Sequence, residues 1–374
     1  MIDFSSDDRP VRATIDSRDV GPGDLFVGLT GQNVDGGTFA AQALAAGAWG
    51  VLVAPEHADG LDGRVLVAED PLRALQDLAT AWRRELGAQV IGITGSTGKT
   101  STKDILRGML RPHRRTVATP QNLNTEIGLP LTVLAAARDT EVLVLEMGMR
   151  GEGQIAELAR IAEPDVGVIV SIGPVHLELL GTVGRVAAAK AELLAGLPDG
   201  GTAVVPHAEP LLEGLIPKHV SVVTFGEGGD VASLEGIELP FDAAHLRRNA
   251  MAALAAARAV GVEPSGPIEV ELWTAAASGS SSPAGSSSWT TATTPTRCRC
   301  ALPSTSWPAP RVGAWPSSAT CSNSAPMRSP TTPRSATTPA SAPTCWSPSG
   351  RWPSTWPATA APPTRRRRRG SSAS

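Results

Sequence analysis

Residues 90–110 read VIGITGSTGKTSTKDILRGML, an apolar run that passes without a break into a glycine-rich turn and then a helix-forming segment. A short continuous apolar run is a strand buried on both faces, and such strands belong to parallel sheets covered by helices on either side. Ser101 to Leu110 is expected to be the following helix, with Ile105, Leu106 and Leu110 turned inward. Between strand and helix lie Gly95, Ser96, Thr97, Gly98, Lys99, Thr100 and Ser101. The glycines let backbone N–H groups converge, the helix N-terminus favours negative charge, and Lys99 adds a point charge, which together suit a phosphate group. Thr100 is placed to set its hydroxyl on Mg²⁺. The strict G-x-x-x-x-G-K-[ST] spacing is not met, because Ile93 stands where its first glycine belongs. A turn that merely caps a helix is the bland alternative.

Strand–helix alternation continues on both sides of this loop. Downstream come the strands EVLVLEMG and DVGVIVSIG with the helix GQIAELARIA between them, then the helix RVAAAKAELLAGL, the strand TAVVP, and an Ala-rich helix from Ala244 to Val260 that Gly261 ends. Upstream, VRATIDSR and GPGDLFVGLTG are short strands with Gly-rich turns. They precede a helix at TFAAQALAAGA, the strands WGVLVAP and RVLVAED, and a helix from Pro71 with Leu72, Leu75, Leu78 and Trp82 at helical spacing. The expected fold is α/β: a small N-terminal α/β domain over 1–84 and a central doubly wound domain of the phosphate-loop type over 85–272.

Beyond residue 272 the composition changes. All 36 acidic residues and 22 of the 33 basic ones precede it, a formal net charge of −14, and that part contains no Cys. Residues 273–374 hold no Asp, Glu, Lys, Ile or Phe, but 11 Arg, all four Cys and seven of the nine Trp. Such a segment cannot build a core and is expected to be disordered. Cys298, Cys300, Cys321 and Cys345 lack zinc-site spacing and have no His nearby, so they predict neither metal nor disulfide. No early stretch joins a basic start to a long apolar run, and no apolar segment approaches the ~20 residues of a bilayer-spanning helix. Neither signal peptide nor membrane segment is expected, and the absence of Cys from the front part fits a cytoplasmic chain.

Further polar residues fall at strand ends or helix starts, the edge of an open parallel sheet where ligands bind. Glu146 ends the strand EVLVLE, where a carboxylate could hold a metal near phosphates. His176 follows SIGPV in the same position and reads equally as structural. Lys190 alone reads as a surface lysine, and Asn122, Asn124, Thr125 and Glu126 (QNLNTEIG) as a capped loop before a helix.

Taken together, these segments resemble the Mur ligases, ATP-dependent amide ligases of peptidoglycan synthesis. The resemblance rests on IDSRDVGPGDLFVGLTG, NVDGGTFAAQALAAGA, GITGSTGKTSTKD, NLNTEIGLPLT, LEMGMRGEGQIAELARIAEPDVGVIVSIGPVHLELLGTV, AAAKAELL and HLRRNAMAALAAARAVGV, in the family's order over most of residues 12–263. GSTGKTSTKD, NLNTEIG and HLELLG favour the branch that joins D-Ala-D-Ala to UDP-MurNAc-tripeptide over its sister ligase MurE. A folylpolyglutamate synthase is a further alternative on the same scaffold. The resemblance implies that ATP phosphorylates the tripeptide carboxylate and that the dipeptide amine attacks the acyl phosphate. It implies that the loop and Lys99 hold the ATP phosphates, that Thr100 and Glu146 bind one Mg²⁺, and that His176 helps bind a second. Lys190 matches a lysine that the family carbamylates into a metal-binding carboxylate. Ser17 and Arg18 match the UDP-sugar segment, Asn122, Asn124 and Thr125 lie near the acceptor, and Asn249 matches an adenine-side asparagine. Leu246 stands where the common H-N-x-x-N pattern has its other asparagine. A monomer is implied. The start, close to IDSR, looks truncated, and the segment between Gly229 and Ile237 is shorter than the family's.

The family's third domain should follow Leu272, and residues 273–374 resemble nothing in it. Written as codons and read from each third base, WTTATTPTRCRCALPSTSWPA permits DDCYNANPMSMRAALDELA, and RVGAWPSSATCSNSAPMR permits RVAVLGDMLELGPDE. Both strings resemble motifs of that domain in the right order. The tail is therefore expected to be an out-of-frame translation, leaving ligase activity weak or absent with residual nucleotide binding. The contrasting reading takes the tail at face value, as a disordered basic segment whose Arg365–Arg369 run binds nucleic acid in a salt-sensitive way. GC-rich codons read out of frame yield such Arg runs without selection, so nucleic acid is not the expected partner.

Overall fold

The computed structural model describes residues 9–271. The expectations for the first residues and for 273–374 lie outside the described residues.

The N-terminal sheet is parallel, in the order β1 (Ala13–Thr14), β2 (Leu25–Val27), β3 (Gly50–Val53) and β4 (Val65–Val67). The expected helix at TFAAQALAAGA is a 3₁₀ turn over Gly36–Phe39 that runs into a six-residue α1 (Ala40–Ala45). Asp35 caps the turn by accepting from the Gly37 N–H. α2 (Pro71–Leu86) has the start its sequence calls for, with Asp70 accepting from the Arg73 N–H and Pro71 in the first turn, where its missing N–H costs nothing.

β5 (Gln89–Thr94), α3 (Lys99–Leu110), β6 (Thr116–Ala118), α4 (Gly128–Leu134), β7 (Val142–Glu146), α5 (Gln154–Ala162), β8 (Val166–Ile169), α6 (Leu177–Leu180), α7 (Val183–Ala195), β9 (Thr202–Pro206) and β10 (Ser221–Phe225) follow. Their six strands form one parallel sheet in the order β10-β9-β8-β5-β7-β6. β11 (Ile237–Glu238), α8 (Ala244–Ala259) and β12 (Gly266–Pro267) complete the described chain, and β11 pairs with β12. The expected strands and helices from Gln89 to Val260 all form. α3 starts two residues earlier than expected, because Gly98 at φ +82° makes the turn and frees Lys99 to be helical. β6 and β10 were not legible. β6 is three half-buried residues, and β10 is an edge strand whose Val222 is exposed, so neither carries a buried apolar run.

Strand periodicity divides the sheet's two faces. Ile91, Ile93, Val142, Val144, Val166 and Val168 pack with α3 and α8, whereas Val90, Leu143 and Leu145 pack with α2, α4, α5 and α7. β5 therefore leads to a helix on one face, while its neighbours β7 and β8 lead to α5 and α7 on the other. A crevice opens at such a switch point, at the C-terminal end of β5.

α2 follows the small sheet in sequence, shares a core with its residues Leu25, Val27 and Leu52, and packs on α4 and α5 of the central unit. The Trp82 indole donates to the Ala136 carbonyl at 3.0 Å, and the Thr80 hydroxyl to that of Ile161 at 3.0 Å. Arg83 donates to the carbonyls of Ala162 (3.1 Å) and Glu163 (2.7 Å). The Trp82 bond satisfies a carbonyl just after α4, and those of Thr80 and Arg83 satisfy carbonyls at the C-terminus of α5, which a helix leaves without partners of its own. The expected boundary between residues 84 and 85 falls inside α2. On the other face, a Cβ on Gly108 of α3 would lie 2.4 Å from the Glu269 carbonyl, so the strap after β12 crosses the helix in direct backbone contact. Among the described residues no helix is long and apolar enough to cross a membrane.

Candidate active site

The crevice is built around the loop between β5 and α3. The N-cap of α3 is Gly98, which has no side chain, so the helix's first N–H groups have no capping bond. The loop is braced by the segment after β8. The Thr97 N–H donates to the Ser171 hydroxyl at 3.0 Å, and that hydroxyl donates to the Thr97 carbonyl at 2.9 Å. Ser96 accepts from the Gly173 N–H at 2.9 Å and donates to the Gly173 carbonyl at 3.1 Å. Lys99 folds back to donate to the Gly95 carbonyl at 2.9 Å. Burial pushes its ammonium below the usual lysine range, and Glu146 opposes that shift. From α8, the buried Asn249 sets its amide against the loop, where a Cβ on Gly98 would lie 2.7 Å from its Oδ1.

Glu146, at the end of β7, is buried, and its two oxygens are treated differently. Oε1 accepts from Asn124 Nδ2 at 2.8 Å, while Oε2 has no hydrogen-bond partner. A buried carboxylate oxygen without a donor is costly unless a cation completes it. Thr119 holds the strand end in place by accepting from the Glu146 N–H at 2.9 Å. Among the described residues no three His, Cys, Asp or Glu side chains group as a metal cage. Mg²⁺ needs none, because it keeps several waters and takes one or two carboxylates plus substrate phosphates. The orphaned Oε2 therefore fits such an ion.

Lys190 is a buried residue of α7, only 2 % exposed, not the surface lysine its helix suggests in isolation. Its pKa is lowered to about 7, first by burial and then by repulsion from Lys99. His176 sits between β8 and α6 at φ 53°, a left-handed conformation that a non-glycine residue adopts at a cost.

Lys99, His176, Asn122, Asn124, Thr125 and Glu126 line one open cleft of about 430 Å³, together with Arg150, Gln154 and Glu157. The structure thus brings together Lys99 of the glycine-rich loop, the QNLNTEIG segment and His176. Ser17 and Arg18 do not line this cleft. They lie in the turn after β1, where the exposed Arg18 binds its neighbour Asp16 at 2.7 Å. Sequence reasoning missed Ser171, Thr119 and Gln76. Ser171 carried a signal, since it ends the apolar run VGVIV at the ligand edge; Gln76 carried none, being one polar residue on an amphipathic helix.

Two family profiles match the chain, one described as Mur ligase middle domain over residues 93–257 and one as Mur ligase family, catalytic domain over residues 12–83. A UDP-N-acetylmuramoyl-tripeptide–D-alanyl-D-alanine ligase of Synechocystis is 38% identical over 278 residues, covering 70% of this chain and 61% of the relative. The ligase of that name from Bacillus subtilis is 39% identical over 67% of this chain and 58% of its own length. Among solved structures, MurF of Thermotoga maritima in complex with ADP aligns with a TM-score of 0.62 at 32% identity, covering 71% of this chain and 66% of that one. MurF of Acinetobacter baumannii aligns with a TM-score of 0.61 at 32% identity over 67% and 60%. The chain spans about 60% of the length of the curated relatives it matches.

Proposed function

Because this chain belongs to the Mur ligase family, we propose that it carries the ATP site and the UDP-sugar side of an ATP-dependent amide ligase, the one that joins D-Ala-D-Ala to UDP-MurNAc-tripeptide in peptidoglycan precursor synthesis. One observation supports this most: at the C-terminal end of β5, Lys99 on the first turn of α3 lines a cleft with Asn124, and behind Asn124 lies a buried carboxylate, Glu146, that has one oxygen orphaned. Such a site suits transfer of the γ-phosphate to the tripeptide carboxylate, followed by attack of the dipeptide amine and loss of phosphate. Phosphoryl transfer asks a protein mainly for position and charge neutralisation, and the loop N–H groups with Lys99 supply both. Glu146, Thr100, His176 and a carbamate on Lys190 would hold Mg²⁺, which neutralises phosphate charge when bound. A pKa of about 7 leaves much of Lys190 uncharged at neutral pH, the form whose Nζ adds to CO₂ with loss of a proton. Asn249 and Gly98 define the nucleotide side, and Ser17 and Arg18 the UDP side.

The same proposal places the chain in the cytoplasm as a monomer, with residues 1–84 as the UDP-substrate part and 85–272 as the ATP part. It takes residues 273–374 as out-of-frame, so turnover is expected to be weak while nucleotide binding persists. Titration calorimetry with ATP, with and without Lys99→Ala, tests the site. Phosphate release with UDP-MurNAc-tripeptide plus D-Ala-D-Ala, compared with UDP-MurNAc-dipeptide plus an amino acid or folate plus glutamate, tests the acceptor. Equal ATP affinity of wild type and variant, or preference for another acceptor, overturns the reading. Resequencing the gene tests the frame: no single-base change near codon 272 that opens the expected motifs would refute that part.

A further inference from the structure

Lys103 lies one turn along α3 from Lys99, and it is buried together with its neighbour Asp104, at 3 % and 7 % exposure. The two charges meet at 2.9 Å, Lys103 Nζ on Asp104 Oδ1. Adjacent residues on a helix do not face each other, so helix geometry alone does not make this pair. Two charges taken out of water add little to stability over an apolar pair of like volume. What this pair does is fix a third group, because Lys103 Nζ also donates to the Thr119 carbonyl at 2.8 Å.

That carbonyl is where the parallel ladder between β6 and β7 stops. Ala118 stands opposite Val144, and the Thr119 N–H donates to the Val144 carbonyl at 3.0 Å. The next bond of a regular parallel ladder would run from the Glu146 N–H to the Thr119 carbonyl. Lys103 has taken that acceptor, and the Glu146 N–H goes to the Thr119 hydroxyl instead, at 2.9 Å. The chain then leaves the sheet through Pro120 and Gln121, the latter at φ 47°. It returns over the end of β7, where the Gly148 N–H donates to the Asn124 carbonyl at 2.8 Å and Asn124 Nδ2 to Glu146 Oε1 at 2.8 Å. One buried cation thus stands behind both the Asn122–Glu126 wall of the cleft and the carboxylate whose Oε2 is orphaned.

We propose that Lys103, held in place by Asp104, is a positioning residue for the cation site at Glu146. By capturing the Thr119 carbonyl it ends the β6–β7 ladder one bond early and turns residues 119–126 across Glu146. Asn124 then occupies Oε1, and Oε2 stays open to the ion. The inference rests on the function proposed above, since it takes Glu146 as a ligand of the Mg²⁺ that accompanies ATP. Without Lys103 the ladder gains its missing bond, the Thr119 hydroxyl loses its role, and Asn124 is drawn off Glu146.

Two measurements on the full-length chain test this without requiring turnover. Hydrogen exchange of the ligand-free chain reads the loop, and ATP affinity with Mg²⁺ against that with the ion chelated reads the site. Lys103→Met alone leaves the buried Asp104 carboxylate without the lysine's charge, so the working variant is Lys103→Met with Asp104→Asn, which should fold with near wild-type stability. Its amides over residues 121–126 are expected to exchange faster, with those of α3 unchanged. Its gain in ATP affinity on adding Mg²⁺ should fall at least about tenfold, the scale for a group that orients a metal ligand, while affinity without the ion stays as in wild type. Thr119→Val, which disturbs no charge, should cause the same loss in the wild-type background and none in the paired variant, where the ladder bond has replaced the hydroxyl. A merely structural ion pair would lower both affinities together and leave the two changes additive. Unchanged exchange over 121–126, an undiminished Mg²⁺ gain, or failure of the paired variant to fold overturns the inference. Glu146→Gln keeps the two readings apart. If it leaves the Mg²⁺ gain untouched, the metal assignment of Glu146 falls; if it removes the gain while the paired variant keeps it, only the role of Lys103 falls.

Discussion

The two ends of the cleft are made in opposite ways. At the Lys99 end, everything from Gly95 to Ser101 is one continuous stretch between a strand and a helix, whose turn is set by Gly98 at φ +82° within the stretch, with Ser171, Gly173 and Asn249 bracing it from outside. At the α5 end, Gln76 meets the Glu126 carbonyl 50 residues away and the Glu157 carboxylate 81 residues away, so the wall exists only after α2 has docked on α4 and α5. A local device withstands changes in distant packing but is sensitive to single residues within it. A wall assembled over distance behaves the other way round.

The largest effect expected at the local end is from Lys99→Ala, which should weaken ATP binding by about a hundredfold, since a charge-assisted contact to phosphate is lost without disturbing the core. Glu146→Gln should cost at least about tenfold in ATP affinity with Mg²⁺ present and much less when the ion is chelated, because a neutral amide would hold the cation less strongly than the charged carboxylate with its orphaned Oε2 would. A variant equally weak under both conditions would remove Glu146 from the metal site.

Lys190→Met separates function from stability. The folded pKa of Lys190 lies near 7 against an ordinary value of 10.5, so between these pH values the unfolded chain binds the proton and the folded chain does not. Stability therefore rises with pH across that window and is lowest, as far as this group is concerned, below about 7. Replacing the lysine should raise stability at pH 7 by on the order of 3 kcal/mol, flatten the pH dependence in denaturant unfolding, and abolish turnover. An unchanged pH slope would contradict the buried-amine assignment.

Gly98→Ala should destabilise the loop by about 1–2 kcal/mol, since φ +82° is strained for alanine and the new Cβ meets Asn249. Nucleotide affinity should fall with it. At the assembled end, Thr80→Val removes the hydroxyl that satisfies the Ile161 carbonyl, and should cost about 1–2 kcal/mol of unfolding free energy with ATP affinity unchanged. If Thr80→Val weakened ATP binding as much as Gly98→Ala, the contrast between the two ends would be wrong.

Legibility followed the same division. The strand VIGITG, the loop and the α3 helix were readable because each is specified within a few residues. So were the Ala-rich helix that ends before Gly261 and the helix that starts at Pro71. β10 was not, because an edge strand with exposed Val222 lacks the buried run that marks a strand. Lys190 is the instructive case. On its own helix it looks like a surface residue, and only the family resemblance singled it out; burial against the sheet is what turned its pKa to about 7.

What the sequence determined by itself is the parallel α/β class and the glycine-rich loop at the end of β5, since hydrophobic period and glycine placement act over one strand and one turn. What the tertiary structure decided is which groups meet there. The orphaned oxygen of Glu146, the brace from Ser171, the amide of Asn249 on Gly98, and the clamp of Gln76 on Glu157 all join residues far apart in the chain. Their meeting depends on helices packing against opposite faces of one sheet, and no local pattern encodes such a distance.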